Sequence, residues 1–543
     1  MVADSVCPTR RSALLGLVLG LLSLGAAAFA HAAEPQTLTD LIRAGQRDAV
    51  LAAITSPDID VNAADPDGST PLLWATYTVD HEMVRALLKR GAKARVSNHF
   101  GTSPLEEAIK VADADLVRML LDAGADPESP NPDGQTALML AAHVGSLPIA
   151  QLLIAHGANV NTVERFRGQT ALMWAAAENH PDVVDLLLKH GAGKEINLRA
   201  KYDDWPRQIT SEPRAQFRQG GGFTALLYAT RARCYRCAVS LVKAGADIEQ
   251  PNPEGITPLL NALDNRSWDI AMFLLDRGAN PGAWDMYGRT PLYVAVDMNS
   301  FTGPWGFGPP DLSFGHQPDR NPPPPGKFKG MDVVNRLLAM GVDPNHQLTR
   351  MRPTTNGRGR FADYMLRGGA GPLLVATLSY DYVAIKALLA HGAEPDLPNV
   401  YQLTPLMLAA GSNDEIRLME RKQPDLQARA IQVVDLLLAA GAHVNYRVTG
   451  SHTHTAQLAG RRGVAAEAEG QTALMAAARL GWDRMVSHLL ERGADPTLRD
   501  ATGRTALDFA RPPPPEVGRP RGRADPGRTA TVAILAAAAA PKS

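Results

Sequence analysis

The residues with most chemical potential are two cysteines three positions apart, in Cys234-Tyr235-Arg236-Cys237. In an oxidising compartment a C-x-x-C pair is a disulfide or a redox centre. No thioredoxin-like βαβ pattern surrounds it, and Ala238 stands where haem attachment requires histidine, so a structural disulfide near a helix start is the plainer expectation. His452 and His454 form the second cluster, two loop imidazoles able to contact a metal, but no cysteine or third histidine lies nearby. His156, His190 and His391 each precede a glycine, where a polar residue suits the negative end of a helix. Walker, nucleophile-elbow, H-E-x-x-H and paired-carboxylate patterns are missing, so the sequence requires neither catalysis nor a cofactor.

The elements that must position these residues follow a repeat. Thr/Ser-Pro/Ala-Leu recurs at Thr70, Ser103, Thr136, Thr170, Thr224, Thr257, Thr290, Thr404, Thr472 and Thr505, with Gly371-Pro372-Leu373 as a variant. Where nothing is inserted, the spacing is 33 or 34 residues. An aliphatic pair, two further residues and a glycine close each unit, at ten positions from Gly91 to Gly493. Thr-Pro opens a helix, because the hydroxyl caps free backbone donors and proline tolerates the first turn. A second helix carries Val183, Val184, Leu187 and Leu188 at helical period, and the following glycine ends it in a left-handed conformation. Asp65-Pro66-Asp67-Gly68 and its counterparts supply the turn between units. One such unit cannot cover its own apolar face, so neighbours must stack.

This pattern resembles the ankyrin repeat family. Asp65–Val96, Asn131–Asn161 and Asn252–Pro281 are near-complete copies of D-x-x-G-x-T-P-L-H-x-A…L-L-x-x-G-A-D, and the resemblance runs from Thr37 to Ala510. It implies an all-α solenoid of about 12 repeats, helix-turn-helix pairs joined by β-turn fingers, with Thr37–Ile54 as a degenerate N-terminal cap. One departure is systematic: the histidine after T-P-L is replaced, for example by Leu73, Glu106, Met139 and Tyr293.

The repeat also locates insertions, near 194–219, 299–329, 346–369, 412–429 and 446–469. Those at 194–219, 346–369 and 446–469 lengthen fingers; the other two enter between paired helices. Long loops on a rigid scaffold are where specificity concentrates. Tyr202-Asp203-Asp204-Trp205-Pro206, Arg358–Arg367 and Ser451–Arg462 are therefore candidate recognition loops; Phe301–Lys329 adds Trp305, Phe307, Phe314 and Pro322–Pro325. The resemblance implies a concave partner-binding face built from first helices and fingers. It nominates Tyr77, Asp133, Glu178, Trp205, Arg231, Tyr287 and Tyr401 as outward-facing contacts.

Composition sets the outer limits. The 543 residues carry 55 basic and 56 acidic side chains, so no bulk field draws nucleic acid or an anionic membrane. An apolar fraction of 45% excludes wholesale disorder, and three cysteines cannot form a disulfide framework. Residues 1–33 read as an export signal: Arg10 and Arg11, the apolar run Ala13–Leu24, then Ala28-Phe29-Ala30 or Ala30-His31-Ala32 for cleavage. The short apolar core favours a cleaved signal over a membrane anchor. Thr9-Arg10-Arg11-Ser12 fits a twin-arginine route, although ordinary secretory signals also carry an arginine pair. The tail 511–543 pairs a Pro/Arg-rich stretch with a terminal capping helix.

The sequence thus predicts a monomeric, non-enzymatic scaffold in the periplasm or outside the cell, binding another protein without a cofactor. The alternatives are a redox- or metal-dependent accessory of an exported oxidoreductase system, and a secreted effector directed at a host.

Overall fold

The computed structural model describes residues 37–202, 221–300, 326–349, 368–412, 425–450, 469–511 and 526–540. Among them are 24 α-helices and no strand, apart from an isolated antiparallel bridge between Tyr202 and Gly221. The helices fall into twelve consecutive pairs, from Leu38–Arg43 with Arg47–Ile54 to Ala506–Ala510 with Pro526–Ala538.

The local chemistry repeats faithfully. Thr70, Thr170, Thr224, Thr257, Thr404 and Thr472 each accept the backbone N–H three residues on, at 3.3–3.4 Å. Ser103 goes further: its hydroxyl caps Glu106 N–H while the Glu106 carboxylate accepts the Ser103 N–H, a reciprocal capping box where the family pattern has histidine. Each second helix buries one face, as with Met83, Val84 and Leu87 in His81–Lys89. First helices stack on first helices along the array, and one continuous core joins Leu38 to Leu535.

Between the paired helices the chain needs a left-handed residue. Gly145 and Gly481 supply it without penalty, but Val79, Ala112, Asn179, Arg233, Arg266 and Tyr380 also hold φ between 52° and 60°. Finger glycines answer a second demand. At Gly255 (φ 79°) a Cβ would sit 3.2 Å from the Asp285 Cα of the next finger, so only glycine admits that approach. Successive fingers are stitched by single backbone hydrogen bonds: His99 N to Asp67 O (2.8 Å), Lys201 N to Arg167 O (2.7 Å) and Met286 N to Glu254 O (2.9 Å).

The insertions leave the repeat in register. Two change the helices beside them: Pro291–Ser300 has 10 residues and Leu426–Ala439 has 14, against 7 and 9 in a standard pair. The final helix, Pro526–Ala538, packs on Asp483–Glu491 and Ala506–Ala510, burying Thr531 and Leu535. It forms the second member of the twelfth pair. Residues 1–33, read from the sequence as an export signal, lie outside the described residues.

Candidate partner-binding face

The face is built from first-helix ends and finger turns, where side chains such as Tyr77, Phe100 and Phe166 stay exposed. Tyr77, at the end of Pro71–Tyr77, is 61% exposed; its ring meets Trp74 edge-to-face at 5.8 Å, and Arg43 lies 5.4 Å from the Trp74 ring centre. Trp74 is itself fixed, donating its indole N–H to Asp65 at 2.9 Å. Asp133 is exposed on its finger. Glu178 is exposed but engaged, 3.6 Å from His143 of the preceding unit. That contact holds the His143 pKa above its ordinary value and the Glu178 carboxyl below its own. Arg231 is exposed, its guanidinium 5.2 Å from the Phe223 ring and 5.0 Å from the Tyr228 ring. Trp205, His452, His454 and the centres of all five insertions lie outside the described residues.

Two nominated contacts are corrected. Tyr287 and Tyr401 do not face outward; they are 8% and 9% exposed. The Tyr287 ring lies 5.9 Å from the Arg289 guanidinium, and its carbonyl accepts the Thr349 N–H at 3.0 Å as the next finger crosses it. Burial pushes its phenol well above the ordinary value. Tyr401 joins the continuous core beside Leu403, where an aromatic ring gains more from burial than from water.

Sequence reasoning missed the polar cluster beside Tyr287. Arg289 is 2% exposed and donates to both carboxylate oxygens of Asp264, at 2.8 and 2.9 Å, and to Asp285 at 2.6 Å. Burial alone would lower its pKa; the two flanking carboxylates more than reverse that and raise it. The cluster ties helix Pro258–Asp264 to the finger before Pro291–Ser300. Asn261, also buried, reaches back to Leu227 O and Thr230 Oγ1, each at 2.8 Å. One clue was present: Arg504 repeats the i, i+4 pairing with Asp500, Nη2 to Oδ2 at 2.9 Å, at the equivalent finger position.

The cysteines occupy a structural position. The structure joins Cys234 and Cys237 in a disulfide, with Cα atoms 5.2 Å apart and both side chains buried. Cys234 is the N-cap of Tyr235–Lys243, its sulfur accepting the Cys237 N–H at 3.1 Å, the job that Asp80, Asp113 and Asp381 perform elsewhere. His156 and His391 are C-caps and bond the last-turn carbonyls of Leu152 and Ala387 at 2.8 and 2.9 Å. Among the described residues no group of three or more His, Cys, Asp or Glu could hold a metal ion, and no helix is long and apolar enough to cross a membrane.

Fold and face together define a helical-repeat scaffold with a preformed lateral surface. Residues 38–131, 111–200 and 226–302 match the ankyrin repeats profile, and 469–501 match the single ankyrin repeat profile. These cover just over half of the chain, which therefore belongs to the ankyrin repeat family. No curated protein sequence matches it. Ankyrin repeats serve protein–protein interaction, and this chain is a protein-binding scaffold of that kind.

Proposed function

We propose that the protein works outside the cytoplasm as a monomeric, non-catalytic scaffold that captures one protein partner on its fingers and first helices. The observation that carries this reading is the run of large apolar side chains left in water along that face. Tyr77 is 61% exposed, Phe100 71%, Phe166 70% and Trp284 62%. Exposed aromatic side chains carried at finger and first-helix positions are the residue types that anchor a protein partner. A rigid array presents them without an ordering cost, so recognition needs no folding on contact. Export is supported by the charged, apolar and small-residue order of 1–33, and a buried disulfide fits an oxidising compartment.

The test is crosslinking of the tagged protein in its native cell, with mass spectrometry of what is captured. One enriched protein, lost when Phe166 and Trp284 are both replaced by serine, supports the reading. Enrichment indifferent to that change removes it. N-terminal sequencing of the mature protein examines export separately: a start between residues 31 and 34 is expected, and retention of Met1 contradicts it.

A further inference from the structure

Midway along the candidate face, the junction between Ala171–Ala177 and Ala225–Arg231 carries exposed cations that form no ion pair among the described residues. Arg165 and Arg167 flank Phe166 on the finger before Thr170, and all three are exposed. Arg231 stands across the junction, stacked on Phe223 and Tyr228. None of the three arginines is within ion-pair distance of a carboxylate among the described residues.

The nearest acids are spoken for. Glu164 is buried, and its carboxylate accepts the backbone N–H groups of Phe166, Arg167 and Gln169 at 2.6, 2.6 and 3.0 Å, so it is consumed by its own turn. Glu178 bears on Arg231 electrostatically but makes its contact with His143. Beneath lies an organised floor. Gln169, 8% exposed, donates to the Tyr228 hydroxyl at 2.6 Å, and Phe223 packs on Tyr228 at 5.5 Å between ring centres. One polar atom of this floor, Gln169 Oε1, has no hydrogen-bond partner among the described residues. Burial raises the Tyr228 phenol pKa, opposed first by the Gln169 hydrogen bond and then by the Arg231 and Arg167 charges.

Unpaired surface cations usually need no explanation, because water solvates them. Here Arg231 is pre-oriented by stacking on the Tyr228 ring, the finger that carries Arg165 and Arg167 is tied to the same residue through Gln169, and an exposed aromatic ring stands between that pair. We infer that the surface carrying Arg165, Phe166 and Arg167 on the finger, with Arg231 stacked on Tyr228 beside it, is a docking site for an acidic, aromatic-containing peptide segment of the partner. Planar guanidiniums bind carboxylates in bidentate fashion, and the Phe166 and Tyr228 rings offer apolar contact between the charges. The inference rests on the scaffold reading and adds the chemistry of what is bound.

The experiment uses the full mature chain and a fluorescein-labelled dodecapeptide of alternating glutamate and tyrosine, read by fluorescence anisotropy. Saturable binding is expected, weakened about tenfold or more by Arg167→Glu with Arg231→Glu, and weakened by added salt. Arg231→Lys keeps the charge but not the stacked plane, and falls between the two. Circular dichroism melts of the exposed-site pair Arg165→Glu with Arg167→Glu guard against misfolding, and the same loss of binding is expected there. No saturable binding, equal binding by the reversed variants, or tighter binding of a twelve-nucleotide oligouridylate overturns the inference. A native partner that still crosslinks to the Arg167→Glu, Arg231→Glu protein would leave the scaffold reading intact and refute this one alone.

Discussion

Replacing Arg289 with methionine should unlatch the middle of the array. The side chain is 3% exposed and makes three charge-assisted hydrogen bonds, two to Asp264 and one to Asp285, whose own side chains are 13% and 0% exposed. Methionine fills much of the volume but leaves two carboxylates without a counter-charge. Asp285 keeps the Tyr287 and Arg289 backbone N–H groups at 2.9 and 3.0 Å, so its loss is partial; Asp264 loses both side-chain partners from Arg289. Removing one member of a buried ion pair costs about 3–5 kcal/mol, and the retained backbone bonds place the expectation near the lower end, ~3 kcal/mol. Repeat arrays do not unfold as one unit, so a single melting temperature is the wrong observable. Native-state hydrogen exchange by mass spectrometry, read over peptides from 257 to 300, isolates the effect. The double variant Arg289→Met, Asp264→Leu is the control: it removes the carboxylate that loses every Arg289 bond, while Asp285 keeps its two backbone donors, so most of the stability should return. A loss below about 1 kcal/mol, or no recovery in the double variant, would refute the reasoning.

Three further outcomes follow from the same structure. The His143–Glu178 contact is linked to pH. His143 is raised above 6.5, so its contribution is complete below that value and fades as pH rises through the folded pKa; Glu178 is lowered below 4.5, so its contribution is complete above that value and fades as pH falls through the folded one. The pair is therefore strongest between about 4.5 and 6.5, and at 50% and 43% exposure it is worth only ~0.2–1 kcal/mol; His143→Gln should flatten local exchange protection across that window, and a protection profile unchanged by the variant would contradict the pairing. Val79 is β-branched at φ 58° and 43% exposed, so Val79→Gly should gain about 1 kcal/mol in a chemical melt of the N-terminal units, and a loss would show that its side chain matters more than its backbone. Reduction of Cys234–Cys237 opens a loop with a sequence separation of 3 and should cost roughly 2 kcal/mol locally; Cys234→Asp with Cys237→Val, restoring the usual cap and core residue, should recover most of it, and no recovery would count against the capping role.

What was legible in the sequence was whatever depends on short-range pattern. The hydroxyl caps, apolar periods and terminating glycines are local requirements of a helix pair, and each is met by residues within a 33-residue unit. The burial of Tyr287 and Tyr401 was not legible, because a tyrosine on a turn carries no mark of whether the next finger will cross it. Arg289 is the sharper case. A charged residue on a finger reads as solvated, and its bidentate partner Asp264 is 25 residues away, on the previous unit's first helix. Likewise, Cys234 as an N-cap became visible only once Arg233, with φ 58°, was seen to turn the chain into the second helix. The extension of Leu426–Ala439 to 14 residues reflects an insertion that continues helical geometry instead of leaving it, a choice that residue spacing alone does not record.

The central claim, that fingers and first helices hold a protein partner, is tested most directly by mapping crosslinks from the captured complex back onto this chain. The account predicts crosslinks concentrated on the first-helix and finger side, around 77, 98–102, 165–167 and 284–286, with second-helix surfaces such as Tyr235–Lys243 left clear. Crosslinks confined to second helices, with the fingers untouched, would contradict it.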